Sequence, residues 1–194
     1  MDPNTSPNET IKTKSFLEPN KIFDQIPIRL GMHVADFGTG AGHFTIEAAR
    51  RVAPSGKVYA LDILTQALES VESRAMMESL NSIETRRVNL EKLGGSTLDD
   101  ASIDLVIAKD ILFMNQDKKV ILEEIVRVLA LGGMVFLAEW DSDPSNVLGP
   151  PLEKRLRKED LLKLAYEVGL GDERVVSVGD YHYGFLFIKK EKAI

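Results

Sequence analysis

One short run constrains this chain more than any other: Val34-Ala35-Asp36-Phe37-Gly38-Thr39-Gly40-Ala41-Gly42-His43-Phe44-Thr45. Apolar residues lead into an acid and then into three glycines at alternate positions. A buried strand that breaks into a glycine turn and opens a helix is how an α/β protein brings its backbone against a nucleotide-like ligand. The spacing narrows the ligand. A dinucleotide fingerprint runs G-x-G-x-x-G/A, with a small sixth residue for close helix packing, whereas here that position is His43 and the third glycine comes one residue early. Nicotinamide and flavin binding are therefore disfavoured. The same turn would also serve as a tight strand-to-helix corner with no ligand.

From Val34 onward strand-like and helix-like segments alternate, the signature of a parallel sheet with helices on both faces. A first strand at about His33–Phe37 feeds a helix over about Gly42–Val52, where Phe44, Ala48, Ala49 and Val52 recur at helical spacing. Pro54-Ser55-Gly56 ends that helix. Val58–Leu61 is a second strand that stops at Asp62, and a helix then runs to about Leu80 with Leu68, Val71 and Ala75 on one face. Ile83–Val88 is a third strand ending at Asn89, and Ile103–Ala108 a fourth after the loop Gly94-Gly95-Ser96. Asp117 is placed to cap the next helix, whose stripe is Ile121, Ile125, Val128 and Leu129.

Gly132-Gly133 turns into a fifth strand, Met134–Glu139, and the proline-bearing stretch Trp140–Arg157 is a loop. A helix over Lys158–Val168 stops at Gly169. Arg174–Val178 and Tyr181–Lys189 read as strands joined only by Gly179-Asp180, too short for a parallel crossover, so they form an antiparallel hairpin. Residues 1–15, rich in Pro, Asn, Thr and Lys, are expected to be a flexible segment, and residues 16–194 a single domain.

Zero cysteines exclude disulfides, thiolate metal sites and a cysteine nucleophile. A net charge of -6 argues against a large nucleic-acid footprint, which needs a local excess of Lys and Arg. No apolar stretch approaches the ~18 residues of a membrane span, and the polar start, Met1–Thr13, predicts no secretory signal. A cytoplasmic location is the expectation.

In an open parallel sheet, ligands sit beyond the carboxyl ends of the strands near the point where strand order reverses. That rule selects Asp36–Gly42, Asp62, Asn89, Lys109-Asp110 and Glu139–Asp141. Asp62 lies 20 residues after Gly42, where a carboxylate can accept both hydroxyl hydrogens of a ribose. The hairpin turn falls on the same edge and brings Asp180, Tyr181, His182 and Tyr183 close. With Glu139, Trp140 and Asp141 these are the substrate-pocket candidates. His182, Tyr181, Glu139 and Asp141 are the candidates for catalysis, His182 as a base or else as a packed strand residue. Glu139, Asp141 and Asp143 alternate as three acids that could converge on Mg²⁺, but such a run also suits a solvated loop, and no metal is expected. Lys154-Arg155-Leu156-Arg157-Lys158, the one basic cluster, fits either an anionic substrate or a solvated surface.

Asp36, Gly38, Gly40 and Gly42 resemble motif I, D-x-G-x-G-x-G, of the class I S-adenosyl-L-methionine-dependent methyltransferases. The resemblance covers about residues 30 to 190. It implies an α/β fold with a Rossmann-like, seven-stranded, mostly parallel sheet, helices on both faces and a C-terminal antiparallel hairpin. It also implies S-adenosyl-L-methionine as cofactor and S-adenosyl-L-homocysteine as product. On this likeness Asp36, Phe37, Gly38, Thr39, Gly40 and Gly42 meet the methionine part and Asp62 the ribose. Ile63 is an apolar neighbour of the adenine, Asn89 and Leu90 match the family's position near the adenine amino group, and Lys109 joins the cofactor set.

Without cysteines the chain departs from the cytosine-C5 and arsenic methyltransferases, and no N-P-P-Y motif follows its fourth strand. Ser15-Phe16-Leu17-Glu18-Pro19 and Leu129-Ala130-Leu131-Gly132-Gly133 look like the ubiquinone/menaquinone-biosynthesis-type group. That likeness implies a small-molecule methyl acceptor. The alternatives are an RNA or protein methyltransferase and a non-catalytic cofactor-binding module.

Overall fold

A computed structural model describes residues 15–191 of the chain. The segment expected to be flexible lies, apart from Ser15, outside the described residues. The chain runs through helix α1 (Pro19–Phe23), strand β1 (His33–Phe37), α2 (His43–Val52), β2 (Lys57–Asp62), α3 (Thr65–Met77) and β3 (Ile83–Arg87). It continues with β4 (Ile103–Lys109), α4 (Lys118–Val128), β5 (Leu129–Trp140), α5 (Lys158–Glu167), β6 (Leu170–Val175) and β7 (His182–Lys189). These strands form one seven-stranded sheet in the order β3-β2-β1-β4-β5-β7-β6. Six run the same way, β1 to β6, and β7 lies antiparallel between β5 and β6. Strand order reverses between β1 and β4, which places a crevice beyond Phe37 and Lys109.

The β1 and β4 sequences carry apolar residues at consecutive positions because both faces of the sheet are covered. On one side Val34, Leu105, Ile107, Phe136 and Ala138 pack under Ile22 and Phe23 of α1 and Phe44, Ala48 and Val52 of α2. On the other, Ala35, Phe37, Val106, Val135 and Leu137 pack under Ile121 and Ile125 of α4 and Leu161 of α5. The expected α/β architecture is therefore the one observed.

Four local expectations are corrected. The fifth strand begins at Leu129, straight out of α4, and Gly132-Gly133 lie in an irregular stretch where Ile103 pairs with Leu129 but Leu105 with Met134. Gly132, at φ +72°, supplies the bend. The sixth strand is Leu170–Val175, so its link to β7 is six residues rather than two. Val176 makes the last bond to β7, to Gly184 O at 2.9 Å; beyond it Val178 packs with Val176 in the core under α1, while the side chain of Gln25 accepts from Ser177 N–H at 2.9 Å. Asp117 occupies the N-cap of α4 without a side-chain cap hydrogen bond.

The fourth concerns the basic cluster, which loses its centre. Arg155 is buried and donates to the carbonyls of Pro150, Asp141, Asn146 and Leu148 at 2.7–3.0 Å, tying the loop after β5 into one shape.

The loop between β3 and β4 is held differently. Buried Glu124 of α4 accepts from Gly94 N–H, Ser96 N–H and the Ser96 hydroxyl, and pairs with Arg127 at 2.7 Å. Burial works to raise its pKa, but the Arg127 and Ser96 bonds outweigh burial and bring the carboxyl down to about 2.

Candidate active site

The turn after β1 needs three glycines for three separate reasons. Gly38, Gly40 and Gly42 all have positive φ, +78°, +51° and +77°. A Cβ on Gly42 would stand 2.7 Å from Val71 Cγ2, so this residue lets α2 and α3 close together. A Cβ on Gly38 would stand 3.1 Å from Ile111 Cδ1. One on Gly40 would meet nothing within 4 Å, because this backbone faces open space. Gly38 and Thr39 donate to Leu61 O at 2.8 and 3.1 Å, which ties the turn to the tip of β2.

Two carboxylates flank that turn. Asp62 Oδ2 accepts from Gly40 N–H at 3.0 Å and Oδ1 from Leu64 N–H at 2.9 Å, so the side chain is held against the glycine turn. Asp36 is buried and accepts from the Thr45 hydroxyl at 2.5 Å. Burial pushes its pKa up to about 6; hydrogen bonds from Thr45 and Thr39 oppose the rise and the charge of Asp62 adds to it. A carboxylate that burial penalises this far is suited to a cationic partner.

A cavity of about 620 Å³ opens on this edge. Asp36 and Gly38 to Ala41 form its floor, with His43 and Phe44 of α2 beside them. Lys109, Asp110, Phe113 and Met114 make one wall, and Trp140 with His182 another. Phe16 and Leu17 close over the top. Phe16 stacks on Tyr181 at 5.1 Å, and Ser15 N–H donates to Asp180 at 2.7 Å while Asp180 N–H returns to Ser15 O at 3.1 Å.

At the far wall, Trp140 lies between Gly149, where a Cβ would fall 2.4 Å from the indole, and the His182 ring at 4.1 Å. His182 Nε2 is 3.2 Å from Asp110, which also pairs with Lys109. Asp110 has φ +55°, a left-handed conformation that Asp tolerates better than most residues.

Of the residues selected from the sequence, Asp36, Gly38, Thr39, Gly40, Lys109 and His182 line this cavity. Phe37 is not part of the lining, its ring being fully buried. Asp62 stands one hydrogen bond behind Gly40. Ile63 is 54% exposed beside it. Asn89, half-buried at the end of β3, accepts from Glu91 N–H at 3.0 Å, whereas Leu90 is turned into the core.

Glu139 and Tyr183 do not reach the cavity. Residues alternate across a strand, so with Trp140 and His182 facing the cavity their paired neighbours Glu139 and Tyr183 face the opposite side. Glu139 accepts from Leu112 N–H at 2.7 Å and Phe113 N–H at 3.3 Å, and the Tyr183 hydroxyl donates to Leu156 O at 2.8 Å. Burial raises the Glu139 pKa to about 8 against the Leu112 bond, helped by the charge of Asp110. Asp141 is absent from the lining and its Oδ1 accepts from Asp143 N–H at 3.0 Å. Among the described residues no group of three His, Cys, Asp or Glu is placed to hold a metal ion.

Sequence reasoning had not assigned Phe113 and Met114 to the site. The apolar run Ile111-Leu112-Phe113-Met114 directly after the strand end at Asp110 was the available signal.

A methyltransferase-domain family profile matches residues 28–167. The chain belongs to that family. It is a class I S-adenosylmethionine-dependent methyltransferase domain, and S-adenosylmethionine is its cofactor. A SAM-dependent methyltransferase from Aquifex aeolicus superposes with a TM-score of 0.81 over 90% of each chain at 24% identity, which bears on the fold. A demethylmenaquinone methyltransferase of Lactococcus lactis is 32% identical over 109 residues, 56% of this chain and 42% of that protein. An arsenite methyltransferase of Halobacterium salinarum is 27% identical over 109 residues, 56% of this chain and 27% of that protein. The chain spans about a quarter to a half of the length of such curated relatives.

The residues of this methyltransferase domain fit its cofactor. The open face at Gly40 leaves backbone free for approach, and a buried carboxylate short of countercharge waits beneath it at Asp36. Asp62 is turned toward the same turn.

Proposed function

We propose that the domain moves a methyl group from S-adenosylmethionine to a small-molecule acceptor held in the 620 Å³ cavity. The observation that carries this reading is the cavity's two-part lining. Its floor is the glycine turn with Asp36, and its far end is apolar and aromatic, with Phe16, Phe113, Met114 and Trp140 around a single His–Asp pair. Pockets of this size enclose small molecules. The basic stretch around Lys154, which an RNA substrate would use, has its central Arg155 turned inward. A cytoplasmic location belongs to the same proposal.

In this reading Asp62 accepts from the ribose hydroxyls, Ile63 and the Asn89 side chain border the adenine, and Asp36 faces the ammonium group. The carboxylate of the methionine part lies toward the amino end of α2. Bound cofactor supplies a methyl carbon on a sulfonium. The protein's share is to align the acceptor with it, a proximity effect worth roughly 7–11 kcal/mol, and to keep water out with the Phe16 strap. His182 is the base.

Titration calorimetry with S-adenosylhomocysteine tests the first half, and no heat at high micromolar ligand would sink it. Asp62→Ala should weaken binding by about 10- to 100-fold, the loss of a charge-assisted bidentate contact, and unchanged affinity would remove the ribose assignment. Labelled methyl offered with cell extract, then fractionated into small molecules, RNA and protein, tests the second half. Label in RNA or protein would overturn the small-molecule reading, and binding without any transfer would make the domain a cofactor-binding module.

A further inference from the structure

We propose that Asp110 is a positioning residue that fixes the tautomer of His182 and thereby readies it as the base for acceptors that give up a proton on methylation; this rests on the function proposed above. A carboxylate beside a lysine ammonium only accepts hydrogen bonds, and Asp110 pairs with Lys109. His182 Nε2, 3.2 Å from Asp110, therefore carries the ring hydrogen. The lone pair is left on Nδ1, on a ring that lines the cavity.

The pair is held in place on every side. Asp110 N–H donates to Ala138 O at 2.9 Å and fastens the residue to β5 in its left-handed conformation. Trp140, itself pressed by Gly149, stacks on the imidazole. Asp110 Oδ1 also lies 3.2 Å from Nε2 but off the N–H axis, and it is buried with no hydrogen-bond partner among the described residues. Buried polar atoms are almost always paired, so this oxygen costs stability as it stands. Such strain concentrates where a side chain is held for a task.

The chemistry balances with these groups alone. The acceptor's X–H bond breaks and its proton passes to Nδ1 of His182. The X lone pair forms the new X–CH3 bond, and the electron pair of the broken S–CH3 bond stays on sulfur. Hydroxyls, phenols and N–H acids need that base. An acceptor that attacks through a lone pair without losing a proton does not.

Long-range 1H–15N spectra of the full chain at alkaline pH read the tautomer directly, because there are only three histidines to assign. His182 is expected as Nε2–H in the wild type and as a mixture in Asp110→Gly, which keeps the left-handed backbone and deletes only the carboxylate. Transfer of labelled methyl should fall by ~10²-fold in that variant. A wild-type Nδ1–H tautomer, or Nε2–H persisting in Asp110→Gly, overturns the proposal. Should the glycine variant not fold, Asp110→Asn, which also tolerates this φ, replaces it with the same expected loosening of the tautomer. Failure of the wild type to bind S-adenosylhomocysteine would instead undo the functional reading beneath it.

Discussion

Glu124 and Asp36 are both buried carboxylates in one domain, and they have opposite chemistry. Glu124 receives two backbone N–H groups, a hydroxyl and a guanidinium, and its pKa is drawn down to about 2. Asp36 receives hydroxyl help from Thr45 and is pushed up to about 6. The first acid is saturated and pins a loop to a helix. The second keeps an unmet demand for positive charge on the floor of a cavity. A buried acid supplied with all its partners marks architecture, and one left short marks a place where a ligand belongs.

The largest effect should come from unpicking the saturated acid. Glu124→Ala strands Arg127 and frees the loop around Gly94 to Ser96, and should cost about 3–5 kcal/mol of stability, read by denaturant unfolding. A loss below that of a surface mutation would break the contrast. Next comes Asp36→Asn, which keeps the shape and removes the charge. It should bind S-adenosylmethionine ~10- to 100-fold more weakly yet be no less stable at pH 7. Equal affinity would show that the ammonium lies elsewhere.

Acid titration separates the two sites further. Stability from Glu124, with its lowered pKa, is present above about pH 4.5 and is lost as pH falls through about 2. Asp36 runs the other way: the native state holds an extra proton, so its contribution declines as pH rises from about 4 to about 6. Cofactor binding at pH 5 should therefore release a proton, measurable as buffer-dependent heat. A third acid, Glu139, has a pKa near 8 that makes stability decline with pH from about 4.5 to about 8. Glu139→Gln should flatten that decline by roughly 1.4 kcal/mol per pH unit, one proton's worth.

The strand-turn-helix unit from Val34 to Val52 was legible because its signal is local, an apolar run followed by glycines that must take positive φ. The parallel sheet was legible from the alternation of strand-like and helix-like segments, and the closing antiparallel pair was read from a link taken as two residues that is six. Misreading came where tertiary contacts override local pattern. Ser177 and Val178 read as strand, yet Gln25 takes the Ser177 N–H and Val178 packs in the core under α1. Arg155 read as part of a basic surface, yet four carbonyls hold it inside. Glu139 was legible in principle, since a strand shows only every second residue to one side, and Trp140 already occupied the cavity face. Asp110 was legible as a strand-end position, but its pairing was not, because the partner lies 72 positions away.

Ser15 is stapled to Asp180 at the rim of the cavity. The seam between Ser15 and the turn before β7 therefore borders the opening, and Phe16 stacked on Tyr181 is held there by the same pair of hydrogen bonds. An arriving molecule passes this seam first, so its strength sets how easily the cavity is entered.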